Sequence, residues 1–305
     1  ENGELHPTDG KSAAEWYGDR PLEDVDYLLS MYFPHVRIKK YIEYRIADSM
    51  PIEDAILELG AHGVRICELF LNSFSEYTDE FSSFLAERVH QAGLTVYSVH
   101  PMSLQFEPQL FSAHPRQRAD AFRMFEQILR SAARLHATHY VMHGAAYLIG
   151  ASKGLSMERI APVFSELTAL ADSYGVTLTL ENVSWGLFRT PQFGEELRSR
   201  VGDALRYTLD VKQAVRSGYR PSDYIRAVGP CIENVHLCDF VRTETGCRWK
   251  LPLEGEFDFD GLFTELHAAG YRGPAFIEVY SDAYTDTTAL YDCYRKRAAR
   301  FDFEG

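Results

Sequence analysis

Residues 160–181, IAPVFSELTALADSYGVTLTLE, contain in one stretch the unit from which the fold is built. Apolar residues recur at helical spacing from Ile160 to Tyr174, so this part predicts an amphipathic helix. Gly175 suits the end of that helix, because glycine readily adopts the left-handed conformation found there. The run Thr177–Glu181 has the length and β-branched content of a buried parallel strand. The stretch therefore predicts a helix–strand unit that ends on an acidic residue.

The same unit repeats along the chain from Pro51 onward. The predicted strands are Val64–Leu71, Thr95–His100, His139–His143, Thr177–Glu181, Tyr207–Asp210, Asn234–Leu237 and Ala275–Val279. Segments of helical period lie between them, and this alternation indicates a parallel sheet covered by helices. We therefore predict an α/β fold, a (β/α)8 TIM barrel. The remaining strand is expected at Tyr41–Ile46, because Pro51 then opens the next helix after a short loop, with Tyr27–Phe33 as the alternative.

The composition bounds the domain organisation and the partners. The chain has 305 residues, 46% of them hydrophobic, which suits one barrel of roughly 250 residues plus an extension. We assign residues 1–35 to an N-terminal extension and residues 36–305 to the barrel domain. The formal net charge is −13, with scattered basic residues, which argues against nucleic acid and anionic membranes as partners.

The cysteines and the apolar runs indicate the compartment. Five cysteines form no CxxC pair, and an odd number of cysteines favours free thiols in a reducing cytoplasm. No apolar run approaches the roughly 18 residues that span a bilayer. The first ten residues lack a basic start and an apolar signal stretch. We expect a cytoplasmic protein, and the sequence leaves open whether it forms a homo-oligomer.

Six ionisable residues stand at or near the carboxyl ends of predicted strands. They are His100, His143, Glu181, Asp210, His236 and Glu278. In a barrel these ends share one face, where the active site forms. One such histidine is as often a core residue as a functional one, but six converging groups would leave costly unpaired charges. A divalent cation removes that cost, and three carboxylates with one imidazole suit Mn²⁺, Mg²⁺ or Co²⁺.

Four segments of the chain resemble one known family in their order and in their placement on successive strands. They are LTLENV at Leu178–Val183, TLDVKQA at Thr208–Ala214, NVHLCDF at Asn234–Phe240 and FIEVY at Phe276–Tyr280. From about Pro51 to about Tyr280 the chain resembles the xylose-isomerase-like barrels grouped as sugar phosphate isomerases/epimerases. That group includes ketose 3-epimerases, inosose dehydratases and the endonuclease IV branch.

The resemblance implies a metal-dependent isomerase or epimerase acting on a small sugar or polyol. One divalent ion, Mn²⁺ first and Mg²⁺, Co²⁺ or Zn²⁺ otherwise, would be held by Glu181, Asp210, His236 and Glu278. Of these ligands, Glu181 and Glu278 would also be the acid/base pair. Moving a proton next to a carbonyl creates an enediolate-like charge that a cation stabilises, while carboxylates remove and return the proton. The expected substrate-binding residues are His100, His143, Arg242, Gln213 and Glu68.

The sequence also departs from that family. Gln213 stands where the endonuclease branch and several ketose epimerases have histidine, and no histidine occurs between His236 and His267. A three-zinc cluster therefore lacks ligands, which argues against a DNA-repair nuclease. A metal-dependent lyase of the same family, such as an inosose dehydratase or a C-glycoside-cleaving subunit, remains an alternative. A non-catalytic sugar- or partner-binding barrel is an alternative of another class.

A second resemblance concerns the N-terminal region. Residues 32–51, YFPHVRIKKYIEYRIADSMP, resemble a segment of bacterial glutamate–cysteine ligases. It covers about twenty residues, and no other part of such a ligase follows. A complete ligase site cannot be assembled from it, so we interpret the segment as the first strand of the barrel and its lead-in.

Overall fold

A computed structural model describes residues 51–145, 155–244, 246–284 and 286–300. Its strands are β1 (Ile66–Leu71), β2 (Thr95–Pro101), β3 (His139–Met142), β4 (Thr177–Glu181), β5 (Arg206–Asp210), β6 (Ile232–Leu237), β7 (Asp239–Thr243), β8 (Gly246–Lys250) and β9 (Ala275–Ile277). Its helices are α1 (Ile52–Ala61), α2 (Asp79–Ala92), α3 (Glu107–Leu110), α4 (Pro115–Arg134), α5 (Met157–Asp172), α6 (Pro191–Val201), α7 (Val211–Arg216), α8 (Pro221–Val228), α9 (Phe259–Ala268) and α10 (Thr287–Arg300).

The main sheet is the nearly closed wall of a TIM barrel. Strands β1 to β6 pair in chain order, β9 pairs with β6, and every pairing is parallel. The seven strands predicted from the sequence are confirmed, with ends that differ by no more than two residues. The candidates for the remaining strand, Tyr41–Ile46 and Tyr27–Phe33, lie outside the described residues, as does the boundary between residues 35 and 36. The ligase-like stretch before Pro51 also lies there.

The helix–strand unit around α5 shows why this sequence folds as a barrel. Ile160, Phe164, Leu167 and Ala171 on one helix face are at most 2% exposed. Fully burying an isoleucine, leucine or phenylalanine side chain contributes roughly 1.5–3 kcal/mol. Gly175, just beyond the helix, has φ of +70° and lets the chain turn into β4, as the sequence predicts.

An antiparallel hairpin interrupts the alternation after β6. Strands β7 and β8 pair with each other, with Phe240 opposite Trp249. The sequence predicts no strands in this stretch, because it lacks a long apolar run. Because β7 begins two residues after β6, the hairpin rises directly from the carboxyl end of the barrel. It therefore flanks the face on which the predicted site residues stand.

Two further properties bear on the expected environment. All five cysteines are free thiols, and all except Cys247 are buried. Among the described residues, no helix combines the length and the apolar content required to cross a membrane.

Candidate metal centre

Four neighbouring strands bring the four predicted metal ligands together. Glu181 ends β4, Asp210 ends β5, His236 lies near the end of β6, and Glu278 follows β9. The register places Asp210 beside His236, and the Glu278 N–H donates to Leu237 O at 3.0 Å. One ligand atom from each of the four side chains lies within 4.8 Å of the others. Three of these residues are 1% exposed, whereas the Glu278 side chain is 35% exposed.

Three polar atoms in this cluster are buried without a hydrogen bond to the described residues. They are Asp210 Oδ2, His236 Nδ1 and Glu278 Oε2. His236 Nδ1 lies 2.5 Å from Glu278 Oε2 and 4.0 Å from Asp210 Oδ2, but neither pair has hydrogen-bond geometry. Buried polar atoms are costly when they lack partners. Their convergence and chemistry, carboxylate oxygens with an imidazole nitrogen, fit a divalent cation.

Local contacts explain why only one oxygen of Asp210 faces the cluster. The other oxygen, Oδ1, accepts from the Gln213 N–H at 2.5 Å and caps the start of α7. The Asn182 side chain clamps the same backbone, since its Oδ1 accepts from Asp210 N–H and its Nδ2 donates to Asp210 O. Asp210 is therefore held before any ligand binds.

The electrostatics of the cluster follow from its burial and its crowding. Burial raises the pKa of Asp210 to about 8, and the nearby charges of Glu278 and Glu181 add to the rise. Burial also opposes ionisation of Glu278, but Lys212 and His236 outweigh it and hold its pKa well below the usual range. Buried carboxylates this close together repel one another, and little solvent screens their charges. The cluster therefore favours either a bound proton or a bound cation.

A chain of contacts links Glu181 to two histidines. His143 Nε2 lies 2.8 Å from both Glu181 Oε2 and His100 Nε2. These three residues form a second group whose potential ligand atoms converge within 4.8 Å. Burial opposes ionisation of Glu181, but the His143 and His236 contacts outweigh it and lower its pKa to about 2. Glu181 thus stands between both groups, with its Oε1 atom 3.5 Å from His236 Nδ1.

Glu68 lies behind the histidines. Its carboxylate is 3.1 Å from His236 Nε2 and 3.3 Å from His100 Nδ1, and it accepts from Ser98 Oγ at 2.6 Å. Asn234 Nδ2 donates to the same carboxylate at 3.0 Å. The contact at Nε2 turns the opposite nitrogen of His236 toward the cluster. Carboxylates commonly orient metal-binding histidines in this way.

Gln213 and Arg242, both predicted substrate contacts, are placed differently from the histidines. Gln213 is 5% exposed, and its Oε1 accepts from the backbone N–H and hydroxyl of Ser184, at 3.1 and 2.9 Å. Its side chain therefore ties α7 to the loop after β4. Arg242 is exposed on the β7–β8 hairpin, with its guanidinium 5.7 Å from the Phe240 ring centroid. No contact in the described ranges joins Arg242 to the cluster.

Two buried residues near the site were missed by the sequence analysis. Lys212 is 0% exposed, and its Nζ lies 3.3 Å from Glu278 Oε1. Glu107, also 0% exposed, accepts from the backbone N–H groups of His143 and Gly144 and fixes the loop after β3. Burial raises the pKa of Glu107 to about 7. The signal available for Lys212 was its place two residues after Asp210 in the family-like TLDVKQA segment. Glu107 lies in the short helix α3, where no sequence pattern indicates a role at the site.

Asp239 shapes the loop between β8 and α9. Its Oδ1 accepts from the N–H groups of Phe240 and Phe257, and its Oδ2 accepts from the Gly255 N–H. A Cβ atom at Gly255 would lie 2.3 Å from Asp239 Oδ1, so a side chain is excluded there. The loop at residues 255–257 is therefore anchored to β7, the strand that follows β6.

Comparisons with known proteins agree with this architecture. The sequence profile of the xylose isomerase-like TIM barrel family matches residues 54–297. D-psicose 3-epimerase from Clostridium cellulolyticum H10, solved with D-tagatose, has a TM-score of 0.61 at 20% identity and covers 75% of this chain and 80% of its own. L-ribulose 3-epimerase has a TM-score of 0.62 at 20% identity, with 80% of each chain covered.

A third solved structure is a metal-bound barrel. The IolI protein with a binding zinc atom has a TM-score of 0.64 at 17% identity, covering 81% of this chain and 91% of its own. Identities this low establish likeness of fold alone. No curated protein sequence matches the chain.

Proposed function

The chain belongs to the xylose isomerase-like TIM barrel family, and on that premise we propose that it is a metal-dependent sugar isomerase or epimerase. The observation that carries the proposal is the convergence of Asp210 Oδ2, His236 Nδ1 and Glu278 Oε2, which are buried and without hydrogen bonds. Glu181 completes the set, and we propose that the four side chains hold one divalent cation, Mn²⁺ by preference. The ion would supply Lewis-acid stabilisation of the negative charge that develops on the substrate oxygens.

The chain's own residues would move the proton. In this proposal Glu181 and Glu278 flank the substrate carbon next to the carbonyl, where one carboxylate removes the proton and one returns it. Removal and return on opposite faces gives an epimer, whereas transfer between adjacent carbons gives an isomer. An ionised carboxylate can accept the proton, and His143 holds Glu181 in that form, as Lys212 holds Glu278. The carboxylate that returns a proton on the opposite face must first take one up from solvent.

The surrounding residues would bind and orient the substrate and the ligands. His100 and His143 present imidazole groups beside Glu181 and would contact the hydroxyls of a small sugar or polyol. Glu68 would orient His236 from behind, rather than contact substrate at the open face. Arg242, on the exposed hairpin, would reach the substrate only after the hairpin or the side chain moves. Gln213 would position the loop after β4 by accepting a hydrogen bond from Ser184, rather than contact the substrate itself.

We also propose that the protein is a cytoplasmic enzyme without nucleic-acid or membrane partners. Five free cysteines support the reducing compartment. The net charge of −13 disfavours polyanionic partners.

Proton exchange with solvent tests the function directly. Purified protein loaded with Mn²⁺ is incubated in D₂O with a panel of free ketoses and inosose, and deuterium at the carbon next to the carbonyl is followed by NMR. We expect exchange and conversion for at least one substrate, with both lost after chelation and restored by Mn²⁺. Elimination of water, or release of an aglycone from C-glycosides, would instead assign a lyase. Tight metal binding without exchange or elimination across the panel would overturn the enzymatic proposal in favour of a binding barrel.

A further inference from the structure

Lys212 is a buried, positively charged side chain beside the candidate metal centre. It is 0% exposed, whereas the other lysines of the described ranges, Lys250 and Lys296, are partly or fully exposed. Its Nζ lies 3.3 Å from Glu278 Oε1 and 4.0 Å from the centroid of the Tyr280 ring. Burying an ammonium group is costly unless an opposite charge compensates for it. A side chain needed only to fill space there would be apolar, so the charge of Lys212 requires an explanation.

The contact with Lys212 divides the two oxygens of Glu278 between two environments. Oε1 faces Lys212, while Oε2 lies 2.5 Å from His236 Nδ1 and is one of the three unpaired atoms. Glu278 follows β9, the three-residue strand Ala275–Ile277, and is the most exposed of the four candidate ligands. Its carboxylate is therefore the one whose orientation depends most on a side-chain partner.

Building on the proposed function, we infer that Lys212 is a positioning residue that keeps Glu278 Oε1 away from the cation. A carboxylate that turns both oxygens to a metal ion binds it more tightly but leaves no oxygen to accept a proton. By holding Oε1, Lys212 leaves only Oε2 for the cation and preserves Oε1 for proton transfer. It also places a positive charge beside the cation site, which weakens cation binding.

This role has a consequence that a merely structural lysine would not have. Replacing Lys212 by methionine removes a nearby positive charge and frees Glu278 to turn both oxygens to the ion. Both changes strengthen cation binding, so Lys212→Met should bind Mn²⁺ about tenfold more tightly, since charges a few ångströms apart still interact appreciably in a partly buried site. Turnover should nevertheless fall by at least about tenfold, with a smaller change in KM. If Lys212 only supported the local fold, its removal would lower both the Mn²⁺ affinity and the turnover.

The test measures Mn²⁺ affinity by calorimetry, together with kcat and KM, for wild type, Lys212→Met, Lys212→Gln and Lys212→Arg. Lys212→Gln is polar but uncharged and replaces Lys212→Met in the test if that variant does not fold. Thermal unfolding shows whether each variant is folded. Lys212→Arg keeps the charge and should approach wild type in both properties. Lys296→Met removes an exposed charge on α10 and is the matched control, expected to change neither. In a Glu278→Gln background, the tightening caused by Lys212→Met should shrink, because the two effects are coupled.

The outcomes separate this inference from the function on which it rests. Tighter binding with slower turnover in the folded neutral variant supports the inference. Unchanged or weaker Mn²⁺ binding in that variant, while wild type binds one ion, overturns the inference and leaves the proposed function standing. A wild-type chain that binds no Mn²⁺ overturns both.

Discussion

The two ends of the barrel strands around β6 carry similar residues that differ in their hydrogen bonding. At the amino end, His139 Nε2 lies 2.9 Å from one oxygen of Glu233, and Arg206 Nε lies 3.1 Å from the other. Thr138 Oγ1 lies 2.7 Å from the remaining ring nitrogen of His139. At the carboxyl end, His236 Nδ1 and its neighbouring carboxylate oxygens lie together without hydrogen bonds. The side chains of the first cluster pair with one another, whereas three polar atoms of the second lack a hydrogen bond to the described residues.

This difference in hydrogen bonding distinguishes the two clusters more clearly than residue type does. A paired cluster at the amino end of a barrel contributes to stability, and an unpaired one at the carboxyl end marks the active face. Variants at the two ends should therefore affect different properties: metal binding and turnover at one end, and the free energy of unfolding at the other.

The largest expected effect is on proton transfer at the carboxyl end. Glu181→Gln and Glu278→Gln should each lower turnover by about 10²–10⁴-fold at saturating Mn²⁺, because an amide cannot accept the proton. The readout is deuterium exchange at the substrate carbon, with metal occupancy measured separately because both residues are proposed ligands. If both variants exchange normally at full occupancy, the paired-carboxylate mechanism is wrong and His100 or His143 becomes the better base.

A smaller effect is expected from a residue proposed only as a ligand. Asp210→Asn removes a charged ligand atom but no acid or base, so it should weaken Mn²⁺ binding by at least the roughly 10–100-fold that loss of metal-supporting contacts costs. Activity should recover in part at high Mn²⁺, which a titration of turnover against Mn²⁺ would measure. Asp210→Asn with wild-type affinity would remove Asp210 from the ligand set.

The smallest effect is expected at the paired, amino end. Glu233→Gln should leave Mn²⁺ affinity and turnover unchanged and lower the free energy of unfolding by less than about 1 kcal/mol, because the Glu233 side chain is 35% exposed. The hydrogen bond from His139, aided by Arg206, lowers the pKa of Glu233. A lowered carboxyl pKa stabilises the fold above the unfolded value of about 4.3, and this contribution is lost as the pH falls through the folded value.

Urea unfolding of wild type and Glu233→Gln therefore tests the pH dependence. The two proteins should differ near neutral pH and converge below about pH 4, as Glu233 becomes protonated in the wild type. A loss of turnover in Glu233→Gln with unchanged stability would mean that the amino end takes part in function.

The same two clusters show how far the sequence leads. His139 and His143 stand in one predicted strand, and nothing in their residue type distinguishes a structural histidine from a site histidine. Strand polarity does, because a residue at the carboxyl end of a barrel strand faces the active side. That rule selected six residues, and the family resemblance singled out four of them as metal ligands: Glu181, Asp210, His236 and Glu278. The side chains of these four do converge, while their roles remain predictions.

What the sequence did not supply were contacts between distant segments. Lys212 was overlooked because a helical lysine is usually solvated, and its burial depends on Glu278, 66 residues further along the chain. Glu68 was predicted as a substrate contact, and its place behind His236, 168 residues away, depends on how the sheet curves. The β7–β8 hairpin was not predicted because its two strands pair only with each other and do not form a long apolar run in the sequence.

Counting the divalent ions bound to each chain is the measurement that tests the account most directly. Metal-free protein is titrated with Mn²⁺, and the stoichiometry is read by calorimetry and checked by elemental analysis. We predict one ion per chain, with the same count in Glu233→Gln and weaker binding in Asp210→Asn. No bound ion would contradict the claim that the unpaired atoms at the carboxyl end form a metal centre. Two or three tightly bound zinc ions would contradict the single-ion site and favour an endonuclease-like cluster.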